Sequence, residues 1–220
     1  MTVSEKKNSR RKAATRFYIV LAVIFVIGGI IGGIIGGAVK GAALSAAENE
    51  EQPLYGTRDG KVITDDGVLT VQSSDFVPLE CALSDDLQEY TYYMCQAYYI
   101  DFDFVMALMF TESSFRTDVV SKTNDYGLMQ INSINHKELE DKLGITDLTD
   151  GYQNIRAGLY ILRGLFEKYD DEAKVLMAYN MGEYGASVLW KRGVYTTSYT
   201  NKILAKADEY AAQRAAQQQK

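Results

Sequence analysis

Glu112 is the residue of this chain whose neighbours best suit acid–base chemistry. It follows the apolar run Val105–Phe110 and precedes a polar loop, so its carboxyl group is expected where a hydrophobic core meets a cleft. Apolar side chains such as Phe110 and Phe115 disfavour the ionised carboxylate and hold the group protonated near neutral pH. A neutral carboxylic acid beside a polar groove can donate the proton that the leaving oxygen of a glycosidic bond requires.

Four sequence segments, beginning with the one that contains Glu112, form a recognisable set of motifs. In chain order they are Glu112–Phe115 (ESSF), Ser121, Gly127–Gln130 (GLMQ) and Ala178–Asn180 (AYN). Together they resemble the soluble-type lytic transglycosylases (the SLT, goose-lysozyme-like family), and Asn154–Leu162 resembles a further element of that family with small changes. The resemblance covers roughly residues 78–204. One such segment alone is a weak signal, but four in the right order are specific.

The resemblance implies a mainly α-helical, lysozyme-like domain that cleaves peptidoglycan between N-acetylmuramic acid and N-acetylglucosamine. Glu112 would protonate the glycosidic oxygen and then accept the proton of the muramic C6 hydroxyl, which leaves a 1,6-anhydro end. Ser121 would help to orient Glu112. No cofactor and no metal ion is expected. The assigned substrate-binding residues are Ser121, Gly127, Met129, Gln130, Asn132, Tyr179, Asn180 and, as a weaker candidate, Tyr199.

Two alternatives stay open at the candidate site. Asp125 precedes Tyr126-Gly127, a string that also resembles animal-type lysozymes, in which this Asp is the second catalytic carboxylate. It would then direct the chemistry toward hydrolysis, or it would only be a loop acid that binds nearby backbone amides. Tyr179 and Asn180 could likewise close a helix that packs on the core. An inactive wall-binding protein is disfavoured because Glu112 is present.

The amino-terminal segment predicts a membrane anchor. Residues 1–16 hold six Lys or Arg against one Glu, a balance of +5, and Phe17–Val39 is uncharged. As a helix, those 23 residues span about 34 Å, enough to cross a bilayer with the amino terminus inside and the catalytic domain outside. A cleaved signal peptide is the alternative, although its apolar region is normally ~7–15 residues. Glycines spaced by four within the span favour self-association, or belong to an anchor that needs no partner.

Charge and cysteine content exclude other classes of protein. Subtracting the +5 of the arm from the net charge of −6 leaves −11 for residues 17–220, which argues against nucleic-acid binding. Cys81 and Cys95 are expected to be free, largely buried thiols, because a helix beginning at Ser84 would carry Cys95 too far from Cys81 for a disulfide. The only histidine, His136, is expected near the start of a short helix, without metal ligands around it.

The segments divide as a basic arm (1–16), an anchor (17–39), a linker (40–78), the catalytic domain (79–210) and a polar tail (211–220). Within the linker, Thr57–Gln72 predicts a hairpin around Asp65-Asp66-Gly67 that is a stalk, an edge feature or disordered. Helix caps are predicted at Ser84, Asp101, Asn135, Asp150, Asp170 or Asp171, and Thr197 or Ser198. Glu112 would lie in the last turn of the second helix, a further helix would stop at Gly182, and another would run through Ala186–Lys191 and stop at Gly193.

Overall fold

The computed structural model describes residues 55–56, 61–64, 67–70 and 76–218, all within one compact unit, Glu50–Lys220. The predicted basic arm and the predicted anchor at 17–39 lie outside the described residues. No helix in the described part of the chain is both long and apolar enough to cross a membrane.

Between residues 76 and 218 the chain is mainly helical, as predicted. The predicted caps at Ser84, Asp101, Asn135, Asp150, Asp171 and Thr197 are confirmed, and Asp101, Asp150, Asp171 and Thr197 also accept a hydrogen bond from a backbone amide of the first turn. The helices are α1 (Asp85–Tyr98), α2 (Phe102–Ser113), α3 (His136–Leu143), α4 (Gly151–Lys168), α5 (Glu172–Lys191) and α6 (Ser198–Gln217).

One predicted helix end is confirmed and another differs. Gly182 has φ 72° and ψ 158°, which are not helical angles, so the predicted stop is confirmed, and the predicted next helix through Ala186–Lys191 follows as the second part of α5, across a kink. Helix α6 extends to Gln217, so most of the segment predicted as a polar tail is helical. The tail is held because Arg214 forms an ion pair with Asp103 of α2.

Two small antiparallel sheets complete the described fold. The predicted hairpin is confirmed as β2 (Lys61–Thr64) and β3 (Gly67–Thr70), paired Thr64 to Gly67 at the turn, and β1 (Tyr55–Gly56) adds a third strand beside β2. The second sheet consists of β4 (Asp125–Tyr126) and β5 (Ile131–Asn132), which bring the two ends of the GLMQ segment together.

Helix α2 is the centre of the core. Its residues Phe102–Met109 are all buried. A helix that is apolar on every side must be surrounded by other elements, and α1 and α6 pack against it. Cys95 is buried and Cys81 half-buried, and both thiols are free, as predicted. Because α2 is held on all sides, its last turn presents Glu112 from a rigid support.

Candidate active site

The end of α2 fixes the position of Glu112. The helix stops at Ser114, and both Ser114 (φ 54°) and Phe115 (φ 65°) adopt left-handed backbone geometry, which turns the chain away from the helix axis. Phe115 is buried, and its ring centroid lies 5.7 Å from that of Phe110. Glu112 itself is half-buried in the last turn, where the sequence predicts it.

The environment of Glu112 favours its protonated form. Burial raises the pKa of the carboxyl group, and the negative charge of Asp125 raises it further. A hydrogen bond from the hydroxyl of Tyr199 to Oε1 and the positive charge of Lys202 lower the pKa, but the net shift is upward. The upward shift of the pKa agrees with the predicted tendency of Glu112 to stay neutral. The phenol of Tyr199 holds one oxygen of the Glu112 carboxyl group in place.

Asp125 lies in a tight polar turn that satisfies its carboxylate. Oδ2 accepts hydrogen bonds from the hydroxyls of Ser121 (2.6 Å) and Thr123 (2.5 Å), and Oδ1 accepts one from Nδ2 of Asn132 (2.6 Å). Burial raises the pKa of Asp125, but these three hydrogen bonds outweigh it and the net pKa is lowered. The carboxylate is therefore ionised and braces the β4–β5 hairpin. Its partners are side chains, where the loop interpretation had expected backbone amides.

Ser121 has a different partner from the one expected. Its hydroxyl donates to Asp125 and accepts from the backbone amides of Thr123 (3.1 Å) and Asp125 (3.0 Å). The expected orientation of Glu112 by this hydroxyl is therefore not seen. The physical reason is local: the turn from Ser121 to Asp125 closes on itself, and the carboxylate four residues away accepts the hydroxyl proton. Tyr199 makes the hydrogen bond to Glu112 instead.

The GLMQ segment is anchored from below by Asn154 of α4, which is fully buried. Its side-chain oxygen accepts from the backbone amide of Met129 (2.8 Å), and its Nδ2 donates to the carbonyls of Tyr126 and Leu148 (2.8 Å each). Gly127 has φ +69°, and a Cβ there would lie 2.4 Å from the carbonyl oxygen of Leu148. Only glycine fits, so the first residue of the motif is required by packing.

The other predicted binding residues differ in whether their side chains are already hydrogen-bonded within the protein. The hydroxyl of Tyr179 donates to the carbonyl of Met129 (2.7 Å), and burial and then the charge of Glu112 raise the pKa of this phenol. Nε2 of Gln130 donates to the carbonyl of Gly127 (2.9 Å), while Asn180 is exposed. Asn132 is bonded to Asp125. Tyr179 thus joins α5 to the GLMQ segment, and Asn180 remains open to solvent.

Two residues that the sequence does not assign belong to the site. Asn154 begins the family-like segment Asn154–Leu162, but the sequence predicts no specific role for its side chain. Lys202 lies three residues after Tyr199 on α6, and this helical spacing is the one signal that could have pointed to it.

His136 begins α3 as predicted, where its ring packs on Tyr126. It also lines a cavity of about 140 Å³ that contains none of the assigned site residues.

The arrangement as a whole supplies one carboxyl group with a raised pKa, a phenol that donates a hydrogen bond to it, and the GLMQ segment held in place by Asn154. Within the described residues there is no group of three or more metal-ligating side chains. The chemistry that these groups support is proton donation and proton removal at one place.

Comparisons with known proteins assign this site to a family. Residues 89–203 match the family described as the transglycosylase SLT domain, so the chain belongs to that family of enzymes, as the sequence motifs indicate. The curated protein sequences give no match.

Among solved structures, an inactive variant of the lytic transglycosylase Slt of Pseudomonas aeruginosa matches with a TM-score of 0.50 and 20% identity, over 56% of this chain and 23% of that one. The 70 kDa soluble lytic transglycosylase of Escherichia coli matches with a TM-score of 0.49 and 20% identity, over 57% of this chain and 25% of that one. The chain therefore spans about a quarter of the length of these proteins. The first match shows a shared fold.

Proposed function

We propose that this protein is a peptidoglycan lytic transglycosylase, which cuts the β-1,4 bond between N-acetylmuramic acid and N-acetylglucosamine and leaves a 1,6-anhydromuramic end. The observation that carries the proposal is the half-buried Glu112, whose pKa is raised and whose Oε1 accepts the hydrogen bond of Tyr199. The family membership supports the same reaction class.

In the first step Glu112 acts as general acid. Its proton passes to the oxygen that links the two sugars, the bond from that oxygen to C1 of the muramic residue breaks, and C1 develops positive charge. The raised pKa favours the protonated form of Glu112 that this step requires. Once Glu112 is ionised, the Tyr199 hydroxyl stabilises the new carboxylate by donating to Oε1.

In the second step the ionised Glu112 acts as general base. It takes the proton of the C6 hydroxyl of the same muramic residue, and O6 forms a bond to C1. No water is consumed and Glu112 regains its proton, so the cycle closes. Because the attacking group belongs to the substrate, its effective concentration is high and no second carboxylate is required.

A hydrolase that uses Asp125 is the second candidate, because this carboxylate is ionised and close enough for its charge to raise the pKa of Glu112. Hydrogen bonds from Ser121, Thr123 and Asn132 already satisfy its oxygens, which favours a structural role in the turn. The transglycosylase reaction is therefore the better supported of the two.

Muropeptide mass spectrometry separates the two candidates. Purified peptidoglycan digested with the parent protein is expected to give 1,6-anhydro ends, lighter by one water, about 18 Da, than hydrolysed ends. Asp125→Asn is expected to give the same product with little loss of rate. Mostly hydrated ends together with an inactive Asp125→Asn variant would show a lysozyme-type hydrolase instead.

Glu112→Gln tests the assigned acid on the same substrate. The substitution keeps the size of the side chain and removes the titrating proton, so activity should fall at least about a hundredfold while the fold survives. Glu167→Gln, which removes an exposed carboxylate of α4, is the control and should retain activity. A Glu112→Gln variant within tenfold of the parent would place the catalytic acid elsewhere.

The location of the enzyme is proposed from the sequence of its amino-terminal segment. The basic arm and the apolar run Phe17–Val39 support an uncleaved single-pass anchor, with the catalytic domain on the outer side of the cell membrane. The spaced glycines support association of two such helices. Amino-terminal sequencing of the mature protein checks the anchor: a chain beginning near Ala46 or Ala47 would show cleavage.

A further inference from the structure

The face of α6 that carries Tyr199 continues into two lysines. Lys202 and Lys206 follow Tyr199 by three and seven residues, which places the three side chains on one side of the helix. Nζ of Lys202 lies 6.0 Å from the centroid of the Phe110 ring, and Nζ of Lys206 lies 5.1 Å from it. Because the Tyr199 hydroxyl donates to Oε1 of Glu112, positive charge on this face of α6 lies near that carboxyl group.

The two lysines differ in what they bind. Lys206 forms an ion pair with Glu209 at 2.7 Å, and only 23% of its side chain is exposed. Lys202 is exposed, and no carboxylate of the described residues lies within ion-pair distance of it. An ammonium group without an anion is notable in a chain whose residues 17–220 carry a net charge of −11.

The charge of Lys202 acts at the site where the bond is cut. It lowers the pKa of Glu112, against the upward effects of burial and of Asp125. Since Coulomb interactions fall with distance and with solvent screening, a charge that reaches Glu112 also reaches an anion bound next to Glu112.

We propose that Lys202 binds a carboxylate of the glycan strand next to the bond that is cut, and so makes the enzyme selective for strands that carry this charge. The inference rests on the proposed function, which brings N-acetylmuramic acid beside Glu112. That sugar carries a lactyl group, which ends in a free carboxylate when the peptide stem is absent and in an amide when the stem is present. In strands with stems, the carboxylates of the stem itself provide the same chemistry.

This role is distinct from proton transfer and has its own kinetic signature. An ammonium group that pairs with a carboxylate before and during the reaction contributes uniform binding, so its loss raises KM for charged strands only, whereas the effect of Lys202 on Glu112 changes kcat by the same factor on every strand. Lysine serves as a point charge with three donors, and arginine keeps that charge. Lys202→Arg should therefore retain the selectivity, and Lys202→Met should lose it.

The experiment compares four glycan substrates with the full-length protein in detergent. The first two are strands with peptide stems and strands freed of stems by an amidase; the other two are the same preparations after their carboxylates are converted to neutral methylamides. KM and kcat are measured for the parent, Lys202→Met, Lys202→Arg and Lys206→Met. The last variant removes an equal charge near the same ring, but from a lysine that already has an anionic partner.

The parent is expected to prefer charged strands over their neutral forms by about 1.5- to fivefold in KM, the range for an exposed ion pair. Lys202→Met should abolish that preference, whereas Lys202→Arg and Lys206→Met should keep it. Selectivity among stem-free strands identifies the lactyl carboxylate, and selectivity only among stem-bearing strands identifies the stem.

Two results overturn the inference while leaving the proposed function intact. One is a parent protein that cuts charged and neutral strands equally well. The other is a Lys202→Met variant that keeps the parent's KM preference for charged strands and loses only the same factor in kcat on all four substrates, since that pattern means that the lysine acts only through Glu112. A parent protein that cuts none of the strands contradicts the proposed function itself.

Discussion

At the scale of single residues, the balance of forces on Glu112 decides the chemistry. Burial and the charge of Asp125 favour the protonated acid, whereas the Tyr199 hydroxyl and Lys202 favour the carboxylate. An acid that must give up a proton and then take one back needs both kinds of neighbour. Burial has the largest effect, and the net shift of the pKa of Glu112 is upward.

Replacing Tyr199 with Phe should move the pH profile in a definite direction. The lost hydrogen bond lowers the pKa of Glu112 in the parent, so the variant should have a higher pKa and an alkaline limb of kcat/KM at higher pH. The maximum of kcat/KM should fall by roughly tenfold, since a hydrogen bond to a charged group is lost. Tyr160→Phe removes the surface bond from Tyr160 to Glu138 and is the control. A limb that moves to lower pH would contradict the assignment.

Glu112 should also make the stability of the protein depend on pH. Its pKa is raised in the folded state, so between the ordinary pKa of Glu and the raised value the folded chain holds more protons than the unfolded chain. Stability must then fall as the pH rises through that window. Glu112→Gln should therefore be more stable than the parent at pH 7, with the difference shrinking below about pH 4. Thermal unfolding from pH 4 to pH 8 measures this, and a constant difference would refute it.

At the scale of elements, α4 supports the GLMQ segment from below. Asn154 binds the amide of Met129, and Gly158, one turn later, leaves room for the Met129 side chain. A Cβ at Gly158 would lie 2.1 Å from Sδ and 3.2 Å from Cβ of Met129. One helix thus sets both the backbone and the side chain of the segment that flanks Glu112.

Two glycine substitutions in α4 should have opposite effects. Gly158→Ala forces Met129 to move and should cost about 1–3 kcal/mol, the usual penalty for overpacking. Gly164→Ala, in the same helix with no atom within 4 Å of the new Cβ, should gain up to about 1 kcal/mol because alanine favours helix. Chemical denaturation measures both. Equal effects at the two positions would mean that the contact with Met129 carries no weight.

At the scale of the whole molecule, the carboxyl-terminal helix closes the fold over α2. Nε and Nη2 of Arg214 donate to the two oxygens of Asp103 at 2.8 Å each, and the guanidinium lies 4.9 Å from the centroid of the Phe102 ring. The Asp103 side chain is only 4% exposed. The same helix delivers Tyr199 to Glu112, so this ion pair also helps to keep the site assembled.

Breaking that ion pair on one side should destabilise the fold. Arg214→Met leaves Asp103 buried without its partner, which should cost roughly 3 kcal/mol in chemical denaturation. Adding Asp103→Leu should recover most of the loss, because the unpaired charge is then removed. Lys137→Met, which breaks an exposed pair with Asp141, should leave the unfolding midpoint unchanged. A double variant as unstable as the single one would show that the charge is not the cause.

The sequence by itself determined the helices and the place of Glu112. Caps such as Asp101, Asp150 and Thr197 act on backbone amides two or three residues away, so their effect is visible in a short window. Similarly, the apolar run before Glu112 predicts the edge of the core, and the order of the motifs indicates the family. The stop at Gly182 and the helix that follows it are predicted from such local signals, whereas the length of α6 is not, because the Arg214–Asp103 ion pair that holds its end joins residues far apart in sequence.

Only the tertiary structure decided the partners within the site. Tyr199 lies 87 residues from Glu112 in sequence, and Asn154 lies 25 residues from Met129, so no periodicity relates them. The Ser121 hydroxyl donates to Asp125 because the geometry of this one turn, and not the residue type, decides which carboxylate accepts its hydrogen bond. Helical periodicity and caps report on neighbours along the chain, whereas the pKa of a buried acid depends on neighbours in space.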